Sequence, residues 1–367
     1  MKNNPSQKGE VLIAIPMLLT GGTEVQTLYL ATSLINLGYR VTLCCYFEYE
    51  QSVVEQFQSL GVCVNLLGLS RSTRQFHLMA ILRKYAVGKC YEYAHIQYVQ
   101  PGLIPVIAFR LARINNLIIN IHQPSDYCSF KSKVFFKVAL LLSQKCISVS
   151  KYVQTSWGMK NSSKCKVIYN CVSTDWIQYP QKHISKTNKG ALNIAIVGRL
   201  RHEKGQSIAL DAMRLLKSYS PLIKLSIIGD GIDSNYLFDK AKSLSLESVD
   251  FQGIKSKSEI IEIYREIDLL IIPSKFEGFG LVAIEAMSSG IPVVASRVGG
   301  LPEVVSEGET GLLYEAGSVE ELARCIRYFF DNPECINQFG FKGREKVKSV
   351  FSFENYSENI MDIYDAR

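Results

Sequence analysis

Between residues 273 and 296 the chain reads P-S-K-F-E-G-F-G-L-V-A-I-E-A-M-S-S-G-I-P-V-V-A-S. Two carboxylates, Glu277 and Glu285, are separated by seven residues. The stretch follows an apolar run, turns through Glu277-Gly278-Phe279-Gly280, and predicts a helix from about Leu281. Gly290 ends that helix and Pro292 follows it, the usual stop signal. Glycine at the turn lets backbone N–H groups come close to a ligand, and the helix start offers unpaired N–H donors to an anion. Glu285 lies about one turn into the helix, with its Cβ tilted back toward the N-terminus. An ionised carboxylate accepts several hydrogen bonds, so Glu277 and Glu285 together suit a polyol such as ribose or a sugar. A surface glutamate plus a helix-capping glutamate is the plainer alternative.

A second stretch, V-G-R-L-R-H-E-K-G at 197–205, also runs from strand to helix. It sets Arg199 and Lys204 on the connecting loop. A guanidinium fork and an ammonium at a helix start suit a diphosphate; two solvated loop charges are the alternative. The Gly21-Gly22 pair in L-T-G-G-T-E (19–24) can bring backbone close to a phosphate and reads equally well as a tight turn. His122 follows the strand-like run L-I-I-N-I and points to the same end of a sheet. It suits charge stabilisation or proton transfer at a reacting sugar, and a structural histidine is the alternative. His95 and Gln97 end the preceding run and are expected on the acceptor side.

These residues need elements to position them. Strand-like runs fall at 11–16, 40–46, 62–67, 94–99, 117–121, 146–150 and 166–169, then again at 192–198, 224–230, 249–253, 268–274 and 291–296. Helical patterns alternate with them, for instance at 24–37 and 75–87. That rhythm predicts an α/β chain of two doubly wound parallel-sheet domains, with ligands beyond the carboxyl ends of the strands. The polar stretch 178–190 reads as a linker. The expected division is 1–183 for a first Rossmann-like, acceptor-binding domain and 184–350 for a second, donor-binding one. An amphipathic helix over 351–367 is expected to return to the first.

The 367 residues carry 41 basic and 34 acidic side chains, but unevenly. Residues 1–183 hold 19 basic against 8 acidic, whereas 184–367 hold 22 against 26. A uniformly basic nucleic-acid binder would not be split this way. No run is long and apolar enough for a membrane span. The opening M-K-N-N-P-S-Q-K-G-E-V-L-I-A-I-P is not read as a signal peptide, so a cytoplasmic location is expected. None of the ten cysteines forms a C-x-x-C pair, which argues against a zinc knuckle or redox motif.

The residues Arg199-x4-Lys204-Gly, Glu277-Gly-Phe-Gly…Glu285 and Gly-Ile-Pro-Val-Val-Ala-Ser resemble those of the family 4 nucleotide-sugar glycosyltransferases, which have the GT-B fold. The likeness extends over nearly the whole chain, through the Gly21-Gly22 loop, Val149-Ser150-Lys151 and G-G-L-P-E-V-V at 299–305. It implies two Rossmann-like domains facing across a cleft, and a retaining hexosyltransferase needing no metal and no cofactor beyond a UDP- or GDP-sugar donor. No Asp-x-Asp motif is present. By the same likeness, Arg199 and Lys204 hold the donor diphosphate and Glu285 the ribose. Glu277 and the backbone of Gly278, Phe279, Gly280 and Leu281 hold the donor sugar, and Gly21 and Gly22 approach the distal phosphate. His122 lies near the anomeric carbon, and Gln252 to Ile254 lie beside the base. The family's frequent Asn-Gly-Val-Asp is Asn170-Cys171-Val172-Ser173 here, so no role carries over to Ser173.

Residues 71–166 contain fifteen Lys or Arg and only two acids, Glu92 and Asp126. The segments 71–84 and 130–145 mix lysine or arginine with Phe and Leu, a pattern that suits docking on an anionic membrane surface. The expected acceptor is a glycan or a polyprenyl- or lipid-linked glycan, as in bacterial surface polysaccharide or lipopolysaccharide assembly. A solubilising positive face is the alternative. Rival functions are a non-catalytic nucleotide-sugar or glycan binder, a sugar-nucleotide epimerase or phosphorylase of the same architecture, and an NAD-dependent dehydrogenase. The last rests on Gly229-Asp-Gly231-Ile-Asp-Ser234, where serine replaces the third glycine of the dinucleotide fingerprint.

Overall fold

The computed structural model describes residues 8–98, 102–173, 175–176, 190–219 and 222–365. The chain divides into two units, one formed by Met1–Cys171 with Phe353–Arg367 and the other by Val172–Ser352. The expected linker at 178–190, apart from Gly190, and the expected boundary between 183 and 184 lie outside the described residues.

The first unit is built on seven strands: β1 (Glu10–Ile15), β2 (Arg40–Cys45), β3 (Cys63–Leu66), β4 (Tyr91–Tyr98), β5 (Asn116–Ile121), β6 (Lys145–Ser148) and β7 (Cys165–Val167). They lie in the order β3-β2-β1-β4-β5-β6-β7, all parallel. Val11 to Ile15 are fully buried, as expected of a central strand covered on both faces. β4 begins three residues before the apolar run at 94. Tyr91 and Tyr93 alternate with Glu92, and both tyrosines are buried. Tyr93 packs edge-on against Tyr39 and at 4.7 Å against Tyr364.

Tyr364 belongs to the helix Phe353–Asp365, which completes the core of the first unit. Its apolar stripe of Tyr356, Ile360, Ile363 and Tyr364 is buried among residues of β1, β2, β4 and β5. Each such side chain contributes about 1.5–3 kcal/mol by leaving water. Tyr93 donates from its hydroxyl to the Tyr364 carbonyl at 2.9 Å. Lys8–Asp365 and Lys166–Asp362 ion pairs, at 2.9 and 2.8 Å, flank the helix.

The second unit has six strands: β8 (Leu192–Val197), β9 (Ile223–Ile228), β10 (Val249–Gly253), β11 (Leu269–Ile272), β12 (Val293–Ser296) and β13 (Gly311–Tyr314). Their order is β10-β9-β8-β11-β12-β13, again all parallel. The strand β13 is not visible in the periodicity. It is four residues long and sits next to the polar turn residues Ser306 to Thr310. In each sheet the chain order reverses at the centre, between β1 and β4 and between β8 and β11. Such a reversal leaves a crevice at the carboxyl ends of the two strands. Arg199 and Lys204 follow β8, and Glu277 follows β11.

Candidate functional site

In the second unit, the loops leaving β8 and β11 lie side by side. After β8 the chain passes Arg199, makes a 3-10 turn over His202–Lys204, and enters the helix Gln206–Leu215. After β11 it passes Glu277 and enters the helix Leu281–Ser288. Lys275 donates its amide to the Glu203 carbonyl at 2.8 Å, and the Lys275 ammonium meets the His202 ring at 2.7 Å. Gly205 has φ 70° and touches the other loop so closely that a Cβ would fall 1.8 Å from the Pro273 carbonyl oxygen. Gly299, at φ 58°, lies as close to the Glu277 carbonyl oxygen, which a Cβ there would meet at 1.7 Å. The Gly300 amide donates to that same oxygen at 3.0 Å. No side chain fits at Gly205 or Gly299, so the backbones carrying Lys204 and Glu277 are held together by contact.

Charge collects on this frame. The Lys204 ammonium donates to Glu277 Oε2 at 2.6 Å, both side chains being half-buried. Arg199 is exposed, and among the described residues its guanidinium has no ion pair. Glu285 is half-buried one turn into its helix, and its carboxylate has no hydrogen bond among the described residues. Burial pushes its pKa up to about 7, against the pull of the Lys257 ammonium. Lys257 itself pairs with Asp175 and Ser173, each at 3.1 Å. Beside Glu285, the Tyr264 hydroxyl is buried without a hydrogen-bond partner among the described residues. A carboxyl group so placed gains from any ligand that brings two hydroxyl donors.

Gln252 is half-buried at the end of β10, reaching Ser226 at 3.4 Å, and Ile254 is 77% exposed. One strand, β9, separates them from β8, about 10 Å at the usual spacing. Phe279 is buried and packs against Phe351, so it offers its backbone only. The dinucleotide-like run at 229–234 is used internally. The Leu200 amide donates to the Asp230 carbonyl and the Leu200 carbonyl accepts from the Asp233 amide, while the Gly231 amide is taken by Asp230 and Ser234.

In the first unit, Gly21 and Gly22 open the helix Gly22–Asn36. Gly21 has an extended backbone, φ −174°, that any residue adopts. The Thr20 amide and hydroxyl are both tied to the Glu50 carboxylate, and the Glu24 carboxylate leans over Gly21. His122 follows β5, half-buried. Its Nε2 donates to Gln97 Oε1 at 2.6 Å, which leaves Nδ1 as the bare, accepting nitrogen. His95 does not line an acceptor surface: it is fully buried, with Nδ1 2.7 Å from the Tyr364 hydroxyl. Gln97 is buried too. His95 and Gln97 lie two residues apart on β4, so both side chains fall on the same face of the sheet, and that face is covered. The roles of Gln97 toward His122, and of Tyr264 and Lys257 around Glu285, left no mark in the residue spacing.

Comparison with known proteins bears on the family and the fold. Residues 20–176 match the model Glycosyltransferase Family 4, and residues 179–346 match Glycosyl transferases group 1. An uncharacterized glycosyltransferase of Methanocaldococcus jannaschii is 33% identical over 65% of this chain and 64% of its own. An uncharacterized 41.2 kDa protein in cps region of Klebsiella pneumoniae is 31% identical over 62% of this chain and 66% of its own. The chain thus spans less than two thirds of the length of these curated relatives. Among solved structures, Anabaena HepE in complex with UDP and glucose superposes with a TM-score of 0.83 at 23% identity, covering 98% of this chain and 100% of that one. The fold is therefore GT-B.

Burial pushes His122 down to about 4 and His95 to about 3, the latter also repelled by His122. Both imidazoles are neutral at pH 7. An unfolded histidine takes up its proton near 6.5, so from pH 6.5 down to about 4 the unfolded state binds more protons than the folded one. The stability these groups contribute is fully present above pH 6.5 and is lost as pH falls through about 4 for His122 and about 3 for His95. Imidazole NMR should show His122 protonated at Nε2 and unchanged from pH 7.5 to 5. In Gln97→Glu the new carboxylate should raise its titration by more than one pH unit. A wild-type His122 titrating near 6.5 would contradict the assigned hydrogen bond.

Proposed function

The chain belongs to the family 4, group 1 glycosyltransferases, and from that premise we propose that it is a retaining, metal-independent enzyme moving a hexose from a nucleoside diphosphate sugar to a glycan or lipid-linked acceptor. The observation that carries this reading is the Lys204–Glu277 ion pair at 2.6 Å across the paired loops after β8 and β11, with exposed Arg199 on the first loop and half-buried Glu285 one turn into the helix that follows the second. Breaking the anomeric bond leaves added negative charge on the diphosphate and an oxocarbenium-like sugar. Arg199 and Lys204 stabilise the leaving diphosphate in this reading, as cations set where negative charge develops. Glu277 and the amides of Gly278–Gly280 hold the sugar, Glu285 the ribose hydroxyls, and Gln252 and Ile254 the base. Gly21 and Gly22 approach the distal phosphate. His122, neutral and held by Gln97, presents Nδ1 to accept a hydroxyl proton near the anomeric carbon. The complexes of the Anabaena protein with UDP and with UDP-glucose support a UDP-sugar as donor, with a GDP-sugar as the alternative.

The reading extends to where the acceptor is met. In the first unit the helices Gln75–Ala86, Leu103–Leu111 and Phe130–Leu142 pack side by side. They leave Phe76, Phe130 and Leu141 more than three-quarters exposed, next to Lys131, Lys133 and Lys137. Exposed apolar side chains of this size amid cations suit an anionic lipid surface, where each basic residue adds about 1 kcal/mol. Among the described residues no helix is long and apolar enough to cross a membrane, so the proposed association is peripheral.

Two measurements check these proposals. Transfer or slow hydrolysis of the donor sugar should fall on the order of a hundred- to a thousand-fold in Arg199→Ala and in Lys204→Ala; wild-type turnover in both would remove the diphosphate role. In vesicle flotation at low salt, the protein should rise with phosphatidylglycerol vesicles and not with phosphatidylcholine. Replacing Lys131, Lys133 and Lys137 by Glu should abolish the difference, and equal behaviour with both lipids would reject docking.

A further inference from the structure

Two groups to which the proposed function gives different parts of the donor are bound to each other. Lys204, on the loop after β8, would meet the diphosphate. Glu277, on the loop after β11, would meet the sugar. The ammonium and the carboxylate are 2.6 Å apart, with side-chain exposures of 30% and 20%. The contacts of Gly205 with Pro273 and of Gly299 with Glu277 fix the backbones beneath them, so the side chains can exchange partners while the loops stay in place.

Resting on that reading, we propose that the Lys204–Glu277 ion pair is a built-in competitor of the donor, exchanged as a unit for the diphosphate and the sugar of a nucleotide-sugar. Lys204 turns to the diphosphate and Glu277 turns to the sugar hydroxyls, so each charge that leaves the pair finds a new partner. A nucleoside diphosphate without its sugar replaces only half of the pair. It draws on Lys204 and leaves Glu277 half-buried and unpartnered. Stranding one member of a half-buried pair is costly. The site therefore favours the intact donor over the spent nucleotide through one contact, and the pair re-forms as the nucleotide departs. Arg199, which has no such competitor among the described residues, remains available to both ligands.

The consequence is opposite to that of an ordinary binding residue: removing the Glu277 charge should strengthen binding of the free nucleotide. Calorimetric titration gives the affinity of the wild-type protein, Glu277→Gln, Lys204→Ala and the double variant for UDP, GDP and ADP. For whichever nucleotide binds the wild type, Glu277→Gln should bind it at least threefold more tightly. The gain should vanish in the Lys204→Ala background, because it comes from freeing the lysine. If the gain persists without Lys204, Glu277 acts by direct repulsion and the exchange is overturned. If Glu277→Gln binds the nucleotide no more tightly than the wild type, the exchange is likewise overturned and the transferase reading stands. If the folded wild type binds none of the three, the donor-site reading itself fails. Glu277→Gln keeps the size of the side chain, and an unchanged far-ultraviolet spectrum and melting curve certify its fold.

Discussion

The close passage of backbone against backbone at the centre of the second sheet is the constraint on which the candidate site depends. β8 and β11 are neighbours because the strand order reverses between them, and the loops that leave them have no crossover helix to separate them. Gly205 rests on the Pro273 carbonyl and Gly299 on the Glu277 carbonyl at distances that exclude a Cβ. These contacts hold the loop that carries Arg199 and Lys204 against the loop that carries Glu277, at the carboxyl ends of the two central strands. Without them, Lys204 and Glu277 would be two charges on independent loops, and such pairs are worth little.

The first unit answers a different problem, that of keeping polar groups inside an apolar sheet. His95, Gln97 and Asn120 are all buried on neighbouring strands, and the register sets Gln97 beside Asn120. Gln97 Oε1 accepts the hydrogen bond from His122 Nε2–H, and the Tyr364 hydroxyl reaches His95. The helix that carries Tyr364 comes from the far end of the chain. It supplies both an apolar stripe for the core and a polar tip for this row, so one element stabilises the sheet and supports the strand that orients His122. The Nε2 atom of His95 and Oδ1 of Asn120 have no partner among the described residues, so the row is only partly satisfied.

Much of this was legible in the residue order. Near-continuous apolar runs mark twelve of the thirteen strands because a parallel sheet buries both faces. The thirteenth, Gly311–Tyr314, opens on glycine directly after the polar turn residues Ser306–Thr310 and is closed by Glu315, so no apolar run marks it. The turn and helix around Glu277 and Glu285 follow from local signals: glycine at the turn, and glycine then proline at the end. What the residue order does not carry is pairing between distant side chains. Lys204 meets Glu277 across 73 positions and His95 meets Tyr364 across 269. His95 and Gln97 read as acceptor-side residues because they lie near the end of the run 94–99, and nothing local shows that the face they share is covered. Tyr264 and Lys257 lie on a helix whose own pattern is that of an ordinary capped, amphipathic segment, and their bearing on Glu285 exists only in the fold.

The central claim is that the loops after β8 and β11 hold a nucleoside diphosphate. Its most direct test is the melting temperature of the purified protein with UDP, GDP, ADP or NAD, because a ligand that binds only the folded state raises the transition by mass action. The account predicts a rise with one of the nucleoside diphosphates that is lost in Arg199→Ala. A rise with NAD alone, or with none of the four, would contradict it.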